Sequence, residues 1–349
     1  MKILLKNARE RKGLKTREVA QLLGIDQALI SKFESGTRKP TREQVVKLAS
    51  LLEIDLETIM VAWLKEKILH EIGHDEFALK ALLVAEQEIR YQSKPTKKKL
   101  SITLQKILAE VDTLKTKLDG FRQFDSSRVV QALELEYTFE SNRIEENTMT
   151  LRETDLVINQ GLTIAGKSMR EHLEVINHHE AIAYIKDLMQ RNTSINERKI
   201  LSIQNLILRG IHPGNAGRYR KVQVMIQESS HVPSQPFLVA KEMEDFFIWY
   251  ETNKLILHPI VLAGEIHERL VTIHPFIDGN GRTSRLVMNL ILLQHGYIIA
   301  NIKGDYDSKM QYYQTLETAQ TKNNKEDFLL FIGQMEKDSL ERYLNIIGQ

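Results

Sequence analysis

Apolar residues recur at helical spacing along most of the chain. A clear example is Pro259–Ile273, where proline suits the first helical position and Ile260, Ala263, Ile266, Leu270 and Ile273 fall on one face. One stretch departs from this period. Residues 218–226 alternate apolar and polar side chains and include two valines, a pattern typical of a strand. The chain is therefore predicted to be mainly α, with one β-hairpin between residues 217 and 236.

The apolar pattern also divides the chain into three parts. Residues 1–65 predict several short helices, and residues 129–349 predict one long helical domain. Between them, residues 66–128 are polar and helical in pattern, with a basic break at residues 93–99, SKPTKKK. Apolar positions within residues 102–118 have heptad-like spacing, which favours helix packing or self-association. We predict an N-terminal helix bundle, a helical connector with a basic loop, and a C-terminal helical domain.

Capping signals in the first part predict a helix-turn-helix arrangement. Thr16 is predicted to cap one helix, Gly24 to end it, and Asp26 to cap the next helix. Thr41 begins the sequence TREQ, which has capping-box form. A helix, a tight glycine turn and a second helix make up the helix-turn-helix plan. The order VAxxLGI, ISxxExG and then proline within residues 19–40 resembles DNA-binding domains of the phage-repressor-like Cro/C1 class.

The charge of residues 1–65 agrees with DNA binding. This part carries 13 Lys and Arg against 8 Asp and Glu, whereas the whole chain has a net charge of only +2. The residues predicted to contact double-stranded DNA lie on the second helix, for base edges, and in the loop after it, for phosphates: Gln27, Ala28, Ser31 and Lys32, then Thr37, Arg38 and Lys39. One such domain reads a half-site, so a homodimer is expected. A helical module that docks a protein partner is the alternative.

Composition sets the expected location. The chain has no cysteine, which excludes disulfides and thiolate metal sites and fits a reducing compartment. Its N-terminus has only three consecutive apolar residues, too few for a signal-peptide core, and no apolar run approaches the length of a membrane span. We therefore predict a cytoplasmic protein without membrane contact.

The densest group of chemically active residues is residues 273–285, IHPFIDGNGRTSR. It lies between two apolar helical stretches, so it predicts a loop that leads into a helix N-terminus. Backbone N–H groups and the helix dipole favour an anion there. Gly279 and Gly281 allow the backbone to approach a ligand closely. Arg282 and Arg285 are three residues apart, so they share a helix face that suits phosphate oxygens.

The same stretch contains an acid and a base. Asp278 offers a hard oxygen for Mg²⁺, and His274 suits proton transfer from a hydroxyl. The stretch resembles the signature of the Fic family of protein AMP-transferases, His-Pro-Phe-x-Asp/Glu-Gly-Asn-Gly-Arg-x-x-Arg, and matches it at every defined position. The resemblance implies transfer of AMP from ATP to a Ser, Thr or Tyr hydroxyl of a protein, with Mg²⁺ as cofactor and release of pyrophosphate.

The resemblance also implies roles for individual residues. His274 would be the general base, and Asp278 would hold Mg²⁺ on the α- and β-phosphates. Asn280 would bind the α-phosphate, Arg282 the β-phosphate and Arg285 the γ-phosphate. The full set expected to bind nucleotide is Asp278, Gly279, Asn280, Gly281, Arg282, Thr283, Ser284, Arg285, Tyr312, Ile226 and Gln227.

Residues 141–146, SNRIEE, resemble the inhibitory motif of Fic proteins, Ser/Thr-x-x-x-Glu-Gly/Asn. Ser141 and Glu145 match, whereas Glu146 stands where the family has Gly or Asn. The resemblance implies that Glu145 pairs with Arg285 and inhibits the enzyme. An exposed acidic helix end is the alternative.

Two further features extend the resemblance. The predicted hairpin resembles the Fic flap, whose free strand edge aligns a target segment by main-chain pairing; a plain structural hairpin is the alternative. Tyr312, in the sequence YYxxLExA, occupies the place of an aromatic residue that lies by the adenine in the family.

Two other functions stay open at this point. The Fic fold could run another phosphate transfer, such as phosphorylation, UMP transfer or removal of AMP from a modified protein. Alternatively, the protein is chiefly a transcription regulator that uses its Fic part as a nucleotide sensor. The intact motif speaks against the second, since a pure binder has no need of His274.

Overall fold

Helices make up nearly all of the regular structure, so the mainly α prediction is confirmed. The computed structural model describes residues 1–82, 85–86, 100–121, 127–226, 229–322 and 324–347. It divides into two compact units, Met1–Lys94 and Pro95–Gln349. The division lies inside the predicted connector, and the basic stretch at residues 93–99 lies outside the described residues.

The first unit begins with a set of short helices that share one core. These helices are α1 (Lys2–Arg11), α2 (Thr16–Leu23), α3 (Gln27–Ser35), α4 (Arg42–Leu52) and the longer α5 (Leu56–Ile72). Ile30 and Phe33 of α3 point inward as predicted and are buried with residues of the other four helices. Trp63 of α5 closes this core and donates its indole N–H to Pro40 O at 2.9 Å.

Two of the three predicted helix starts in this unit are confirmed. Asp26 accepts a hydrogen bond from the backbone N–H two residues later at 2.7 Å, and Thr41 forms a capping box with the side chain three residues later. The prediction for Thr16 is wrong, because Thr16 is already the first residue of α2. The backbone N–H of Lys15 instead donates to the carboxylate of Glu18 at 2.6 Å. An acid three residues into the helix therefore stabilises this start in place of a capping hydroxyl.

The second unit is an assembly of longer helices. They are α6 (Ile102–Phe121), α7 (Ser127–Ile144), α8 (Leu151–Gln160), α9 (Met169–Gln190), α10 (Glu197–Leu208), α11 (Val239–Asn253), α12 (Pro259–Ile273), α13 (Asn280–Gln294), α14 (Tyr306–Lys322) and α15 (Glu326–Ile347). Within the described residues, no helix combines the length and the apolar character that crossing a membrane requires.

Helices α12 and α13 lie at the centre of this unit and are buried along most of their length. Pro259 is the first residue of α12, as predicted, and the His258 side chain accepts the N–H of Ile260 at 3.2 Å. Gly264 allows α15 to pack closely against α12, because a Cβ there would lie 2.7 Å from Leu329 Cδ2. The loop between α12 and α13 is therefore held at the end of two tightly packed helices.

Helix α6, which we assigned to the connector, packs inside the second unit. Its apolar positions Leu104, Leu108, Val111 and Leu118 are buried in the same core as α12 and α13. The helix packs against α15. The heptad-like spacing of these residues thus reflects helix packing within the unit.

The segment between residues 217 and 236 has no β-strand in its described part. Side chains join its two arms. Gln223 Nε2 donates to Pro233 O at 2.9 Å, and Arg220 Nη2 donates to Ser234 O at 2.5 Å. Residues 227–228, between the arms, lie outside the described residues. The β-hairpin stays a prediction, since these contacts bring the arms together without a strand ladder in the described residues.

Candidate active site

His274 lies at the C-terminal end of α12 in a left-handed backbone conformation. Its φ is 52°, which costs a residue with a side chain on the order of 1 kcal/mol. Its Nδ1 lies 3.3 Å from Val271 O. A proton on Nδ1 that is shared with this carbonyl leaves Nε2 as the unprotonated nitrogen. Burial lowers the pKa of His274 to about 4, so at neutral pH the imidazole is neutral and can accept a proton.

Arg220 holds the strained end of α12 in place. Its side chain is buried, and its Nε donates to His274 O at 2.7 Å while Nη2 lies 3.5 Å from Ile273 O. Its backbone N–H donates to Pro275 O at 2.9 Å. These three consecutive carbonyls span the turn, so Arg220 fixes the direction in which His274 leaves the helix. We did not expect this role, because an arginine in an alternating segment resembles an exposed strand residue.

Asn280 shapes the loop between α12 and α13 from within. Its Oδ1 accepts the N–H of Phe276 at 3.0 Å and its Nδ2 donates to Phe276 O at 2.9 Å. Gly279 precedes α13 with a φ of 80°, a conformation that residues with side chains rarely adopt. A Cβ on Gly281 would lie 2.6 Å from Glu145 Oε1. Gly281 therefore leaves the first turn of α13 without a side chain at this point. Helix N–H groups in this turn lack acceptors within the helix.

Arg282 is a buried cation at this helix start. Its Nη1 lies 3.4 Å from Glu174 Oε1, and its Nη2 lies 3.4 Å from Asp278 Oδ1. Its Nε is buried and has no hydrogen-bond partner in the described part of the chain. A buried polar group without a partner is costly. The Nε–H is therefore suited to an anion that enters the site.

Arg285 is held by the two residues predicted to inhibit. Its Nε donates to Ser141 Oγ at 3.0 Å, and its Nη2 donates to Ser141 O at 2.9 Å and to Glu145 Oε1 at 2.8 Å. Burial raises the pKa of the Glu145 carboxyl, but the positive charges of Arg285 and Arg282 outweigh burial and lower it overall. Glu145 is therefore ionised. The predicted contact between Glu145 and Arg285 is present, although 140 positions separate them.

Glu146 stands where the inhibitory motif has Gly or Asn. Its backbone conformation explains why the motif has those residues at this position. Its φ is 70°, in the region where glycine and asparagine are favoured over other residues. Its side chain is 81% exposed and forms an ion pair with Lys309. Glu146 therefore makes no contact with Arg285, and the turn after Glu145 forms here with a glutamate in a strained conformation.

Asp278 lies in an ion-pair network that we did not predict. Its Oδ1 accepts the N–H of Gly279 at 2.6 Å, and its Oδ2 accepts from Arg170 Nη2 at 3.1 Å. Arg170, on α9, also donates its Nε to Glu174 Oε1 at 3.0 Å. In the sequence, an arginine and a glutamate four residues apart indicate only a surface ion pair on one helix. The contact with Asp278 is tertiary and leaves no local signal.

Tyr312 is a core residue, and its expected place beside the adenine stays a prediction. It is 2% exposed, and its hydroxyl lies 3.0 Å from His267 Nε2. Its ring packs against Phe328. The next residue, Tyr313, is 40% exposed and donates its hydroxyl to Ile144 O at 3.3 Å. Helical register separates the two adjacent tyrosines, and the sequence motif alone did not distinguish them.

The remaining residues of the expected nucleotide set differ in their placement. Thr283 and Ser284 are buried in the first turns of α13, and their hydroxyls have no hydrogen-bond partner in the described residues. Ile226 is half-buried at the end of its arm of the 217–236 segment. Gln227 lies outside the described residues. Thr283 and Ser284 therefore lie next to the loop.

The residues predicted to contact DNA are exposed, with one exception. The exposed ones are Gln27, Ala28, Ser31, Lys32, Thr37 and Arg38. Lys39 is half-buried, and its Nζ donates a hydrogen bond to Glu66 O at 3.1 Å. Its ammonium group therefore already has a partner within the unit. Helix α3 is anchored to α1 by Arg9, whose Nε donates to Glu34 Oε1 at 2.6 Å. The candidate recognition helix is thus fixed on the first unit with its polar face outward.

Comparison with known families assigns both parts of the chain. Residues 5–59 match a helix-turn-helix family model, and residues 194–292 match the model of the Fic/DOC family. The chain contains a Fic domain and an N-terminal helix-turn-helix domain. The matched part of the Fic domain runs from the start of α10 through most of α13 and includes the whole loop with His274.

Named relatives of the Fic domain come from several animals. The chain is 35% identical over 244 residues to a protein adenylyltransferase Fic of Nematostella vectensis, covering 69% of this chain and 56% of that protein. It is 36% identical over 210 residues to one of Drosophila grimshawi, covering 60% and 42%. The chain thus spans about half the length of the curated relatives that it matches.

Solved structures support the same fold. Residues 134–508 of Fic-1 from C. elegans superpose with a TM-score of 0.64 at 24% identity, covering 99% of this chain and 97% of that one. A Fic family protein from Desulfovibrio desulfuricans gives a TM-score of 0.61 at 25% identity, covering 72% and 76%. The helical arrangement around the loop is therefore that of Fic structures.

Three buried histidines of the second unit make its unfolding free energy depend on pH. Burial lowers the pKa of His267 to about 3 and that of His274 to about 4, and it also lowers the pKa of His178 well below the ordinary value. An unfolded histidine titrates at about pH 6.5. Between pH 6.5 and 4 the unfolded chain therefore binds more protons than the folded chain. The unfolding free energy falls as the pH falls through this range.

We expect His267→Gln to weaken this pH dependence. From pH 7 to pH 5, the wild type should lose about 2 kcal/mol more unfolding free energy than the variant, since only the wild type has this buried imidazole to protonate on unfolding. Urea unfolding of the full chain at both pH values, followed by circular dichroism, measures the difference. The exposed His74 of the first unit, replaced by glutamine, serves as the control and should retain the wild-type dependence. Equal losses in wild type and His267→Gln would rule out His267 as a source.

Proposed function

We propose that this protein transfers AMP from ATP to a Ser, Thr or Tyr hydroxyl of a protein. The observation that carries the proposal is the start of α13, where a neutral His274 and the buried Arg282 and Arg285 flank a run of bare helix N–H groups. Relatives with a Fic domain that are named protein adenylyltransferase support it.

In this reaction His274 acts as the general base. Its Nε2 takes the proton of the target hydroxyl, and the hydroxyl oxygen bonds to the α-phosphorus. The bond between the α-phosphorus and the α–β bridging oxygen breaks, and pyrophosphate leaves. Backbone N–H groups at Gly281 and Arg282 would stabilise the charge on the α-phosphate oxygens.

We assign each phosphate to a side-chain N–H group of the site that could bind it. The buried Nε–H of Arg282 would bind the β-phosphate, and Arg285 would bind the γ-phosphate once Glu145 leaves it. Asn280 uses one amide N–H for Phe276 O, and its amide has a second N–H, which we assign to the α-phosphate. Asn280 thus both shapes the loop and contacts the nucleotide.

Asp278 is the residue that would hold Mg²⁺. Mg²⁺ usually binds one or two carboxylates and completes its shell with phosphate oxygens and water. The donor set fits, because Asp278 supplies a partly exposed carboxylate directly before the start of α13, where the phosphates are proposed to bind. A cation bound there would neutralise charge on the α- and β-phosphates.

The segment between residues 217 and 236 is proposed to present the target. Met225 is 91% exposed and Val222 is 56% exposed, so main-chain groups near them are accessible to an extended peptide. Pairing with such a peptide, as in β-augmentation, would form a strand edge and bring a hydroxyl towards His274 with little sequence selectivity. Ile226 would then lie at the nucleotide end of this edge.

Mass spectrometry tests the reaction. Incubation of the full chain with Mg-ATP and a lysate should give a 5′-AMP adduct on a protein Ser, Thr or Tyr. Parallel incubations with UTP and with γ-labelled ATP distinguish UMP transfer and phosphorylation, and a pre-modified substrate tests removal of AMP. A phosphate or UMP adduct without an AMP adduct would contradict the proposal.

We also propose that the helix-turn-helix domain binds double-stranded DNA. The exposed polar face of α3 and the following loop support this, with Gln27, Ala28, Ser31 and Lys32 at the base edges and Thr37 and Arg38 at phosphates. The match of residues 5–59 to a helix-turn-helix model agrees. Reading two half-sites would require two copies of the chain.

We expect Lys32→Ala and Arg38→Ala each to weaken DNA binding, and we expect Arg38→Ala, which removes a proposed phosphate contact, to reduce its salt dependence. One lost phosphate contact lowers the slope of log K against log salt concentration by about one unit. Fluorescence anisotropy of full-length protein on a selected site, at several salt concentrations, measures the slope. Lys39→Ala is the internal comparison and should change the slope less, because Lys39 contacts Glu66 O. If binding-site selection returns no sequence preference, the domain docks a protein instead.

A further inference from the structure

Glu174 connects the inhibitory segment to the carboxylate that is proposed to hold Mg²⁺. Its side chain is 6% exposed, its Oε1 accepts from Arg170 Nε at 3.0 Å, and its Oε2 accepts from Asn147 Nδ2 at 3.0 Å. Asn147 lies two residues after Glu145, and its Nδ2 also lies 3.1 Å from Glu171 O. The turn that follows the inhibitory helix α7 is therefore tied to the first turns of α9.

Arg170 in turn binds the Asp278 carboxylate. Its Nη2 donates to Asp278 Oδ2 at 3.1 Å. The other oxygen, Oδ1, accepts the N–H of Gly279 at 2.6 Å and lies 3.4 Å from Arg282 Nη2. Both carboxylate oxygens are thus engaged by N–H donors. A divalent cation needs an oxygen lone pair directed at it, and a guanidinium at the same oxygen repels it.

We infer that Arg170 is a gate for the divalent cation: it covers Asp278 Oδ2, is held there by Glu174, which Asn147 in turn binds, and must turn away before the cation binds. This inference rests on the proposed function, because it takes Asp278 as the cation ligand. The gate is separate from the contact between Glu145 and Arg285, which lies at the γ-phosphate position. Residues 141–147, which comprise the predicted inhibitory motif and Asn147, thus act at both ends of the triphosphate.

The exposure of Arg170 allows it to move. Its side chain is 53% exposed, so it can turn into solvent without leaving a buried charge behind. Glu174 remains beside Arg282, with Oε1 3.4 Å from Nη1, so its carboxylate keeps a cationic neighbour when Arg170 leaves. The gate therefore opens at a small cost, and the binding energy of a cation with its nucleotide can supply it. Arg170 is a positioning residue and takes no part in the chemical step.

Binding of Mn²⁺ tests the gate without measuring AMP transfer. Titration of the full chain with Mn²⁺ alone, without free nucleotide that would itself chelate the metal, followed by the EPR signal of free Mn²⁺, gives the dissociation constant. Arg170→Ala should lower this constant about fivefold or more, because it removes both an ion pair and a positive charge beside the cation. Arg209→Ala is the matched control. Arg209 is 50% exposed and forms an ion pair with Glu180 of α9, and its loss should leave the constant unchanged.

Asp278→Asn separates failure of the gate from failure of the metal assignment. Loss of Mn²⁺ binding in Asp278→Asn, together with tighter binding in Arg170→Ala, supports the gate. If Asp278→Asn loses Mn²⁺ but Arg170→Ala binds it with unchanged or lower affinity, the gate is overturned while the proposed function stands. If Asp278→Asn binds Mn²⁺ like the wild type, the assignment of Asp278 fails and the gate fails with it.

Discussion

Replacing His274 with alanine should reduce AMP transfer by about 10²–10⁴-fold, the usual contribution of a general base. Binding of ATP should change little, because the imidazole acts on the target hydroxyl and not on the nucleotide. The backbone is expected to remain in place. Arg220 binds the His274 carbonyl oxygen, which alanine also has, and residue 274 already carries a Cβ at a φ of 52°. Single-turnover transfer of labelled AMP and calorimetric titration with a non-reactive ATP analogue measure the two quantities.

A second histidine on the same helix pair provides the control. His295 follows α13 as His274 follows α12, and its Nδ1 lies 2.8 Å from Ile291 O. It lies at the opposite end of α13 from the loop. His295→Ala should therefore transfer AMP at close to the wild-type rate. Near-normal AMP transfer by His274→Ala would contradict the proposed mechanism. An equal loss of AMP transfer in both variants would indicate unfolding.

The parts of the site that could be predicted are those encoded by adjacent residues. Pro259 marked the start of α12, and the run from His274 to Arg285 placed a base, two glycines and two arginines on one loop and helix start. The contact between Glu145 and Arg285 is tertiary, and it was predicted only through the resemblance to a known motif. Local pattern and motif resemblance together thus account for the loop and for the residue that faces it.

The parts that could not be predicted depend on how distant helices meet. Arg170 and Glu174 form an ordinary i,i+4 pair in the sequence, and only the packing of α9 beside the loop brings Arg170 to Asp278. Arg220 has no local signal, because its partners are backbone carbonyls at residues 273–275. Tyr312 and Tyr313 are adjacent in the sequence, and helical register alone decides that the first is buried. In each case the missing information is a tertiary position.

We propose that Glu145 blocks the site by charge and by space at once. Its Oε1 accepts from Arg285 Nη2 at 2.8 Å, the guanidinium that a γ-phosphate would need. The same oxygen lies 2.6 Å from the position that a Cβ on Gly281 would take, so it covers the backbone at the first turn of α13. Charge-assisted hydrogen bonds of this kind are worth roughly 1.5–3 kcal/mol. ATP that binds by its other groups would then hold its α-phosphate out of line with the attacking hydroxyl.

Glu145→Gly should therefore increase AMP transfer, including self-modification, by at least about tenfold, since a displacement of about 1 Å can cost on the order of 10²-fold in rate. The gain should disappear in the double variant Glu145→Gly, Arg285→Ala, because the γ-phosphate then has no cation to bind. Initial rates of labelled AMP incorporation into the protein itself measure both effects at one ATP concentration.

Glu146→Gly is the matched control for this increase. Glu146 is adjacent to Glu145 and is also acidic, but it is exposed and paired with Lys309, so its charge is not in the site. Glycine is favoured at its φ of 70°, and this change should tighten the turn that presents Glu145. Glu146→Gly should therefore transfer AMP at a rate equal to or below the wild type. If Glu145→Gly and Glu146→Gly both match the wild-type rate, the contact with Arg285 is structural and does not inhibit. If Glu146→Gly alone raises the rate, the inhibitory charge is at residue 146 and the assignment to Glu145 is wrong.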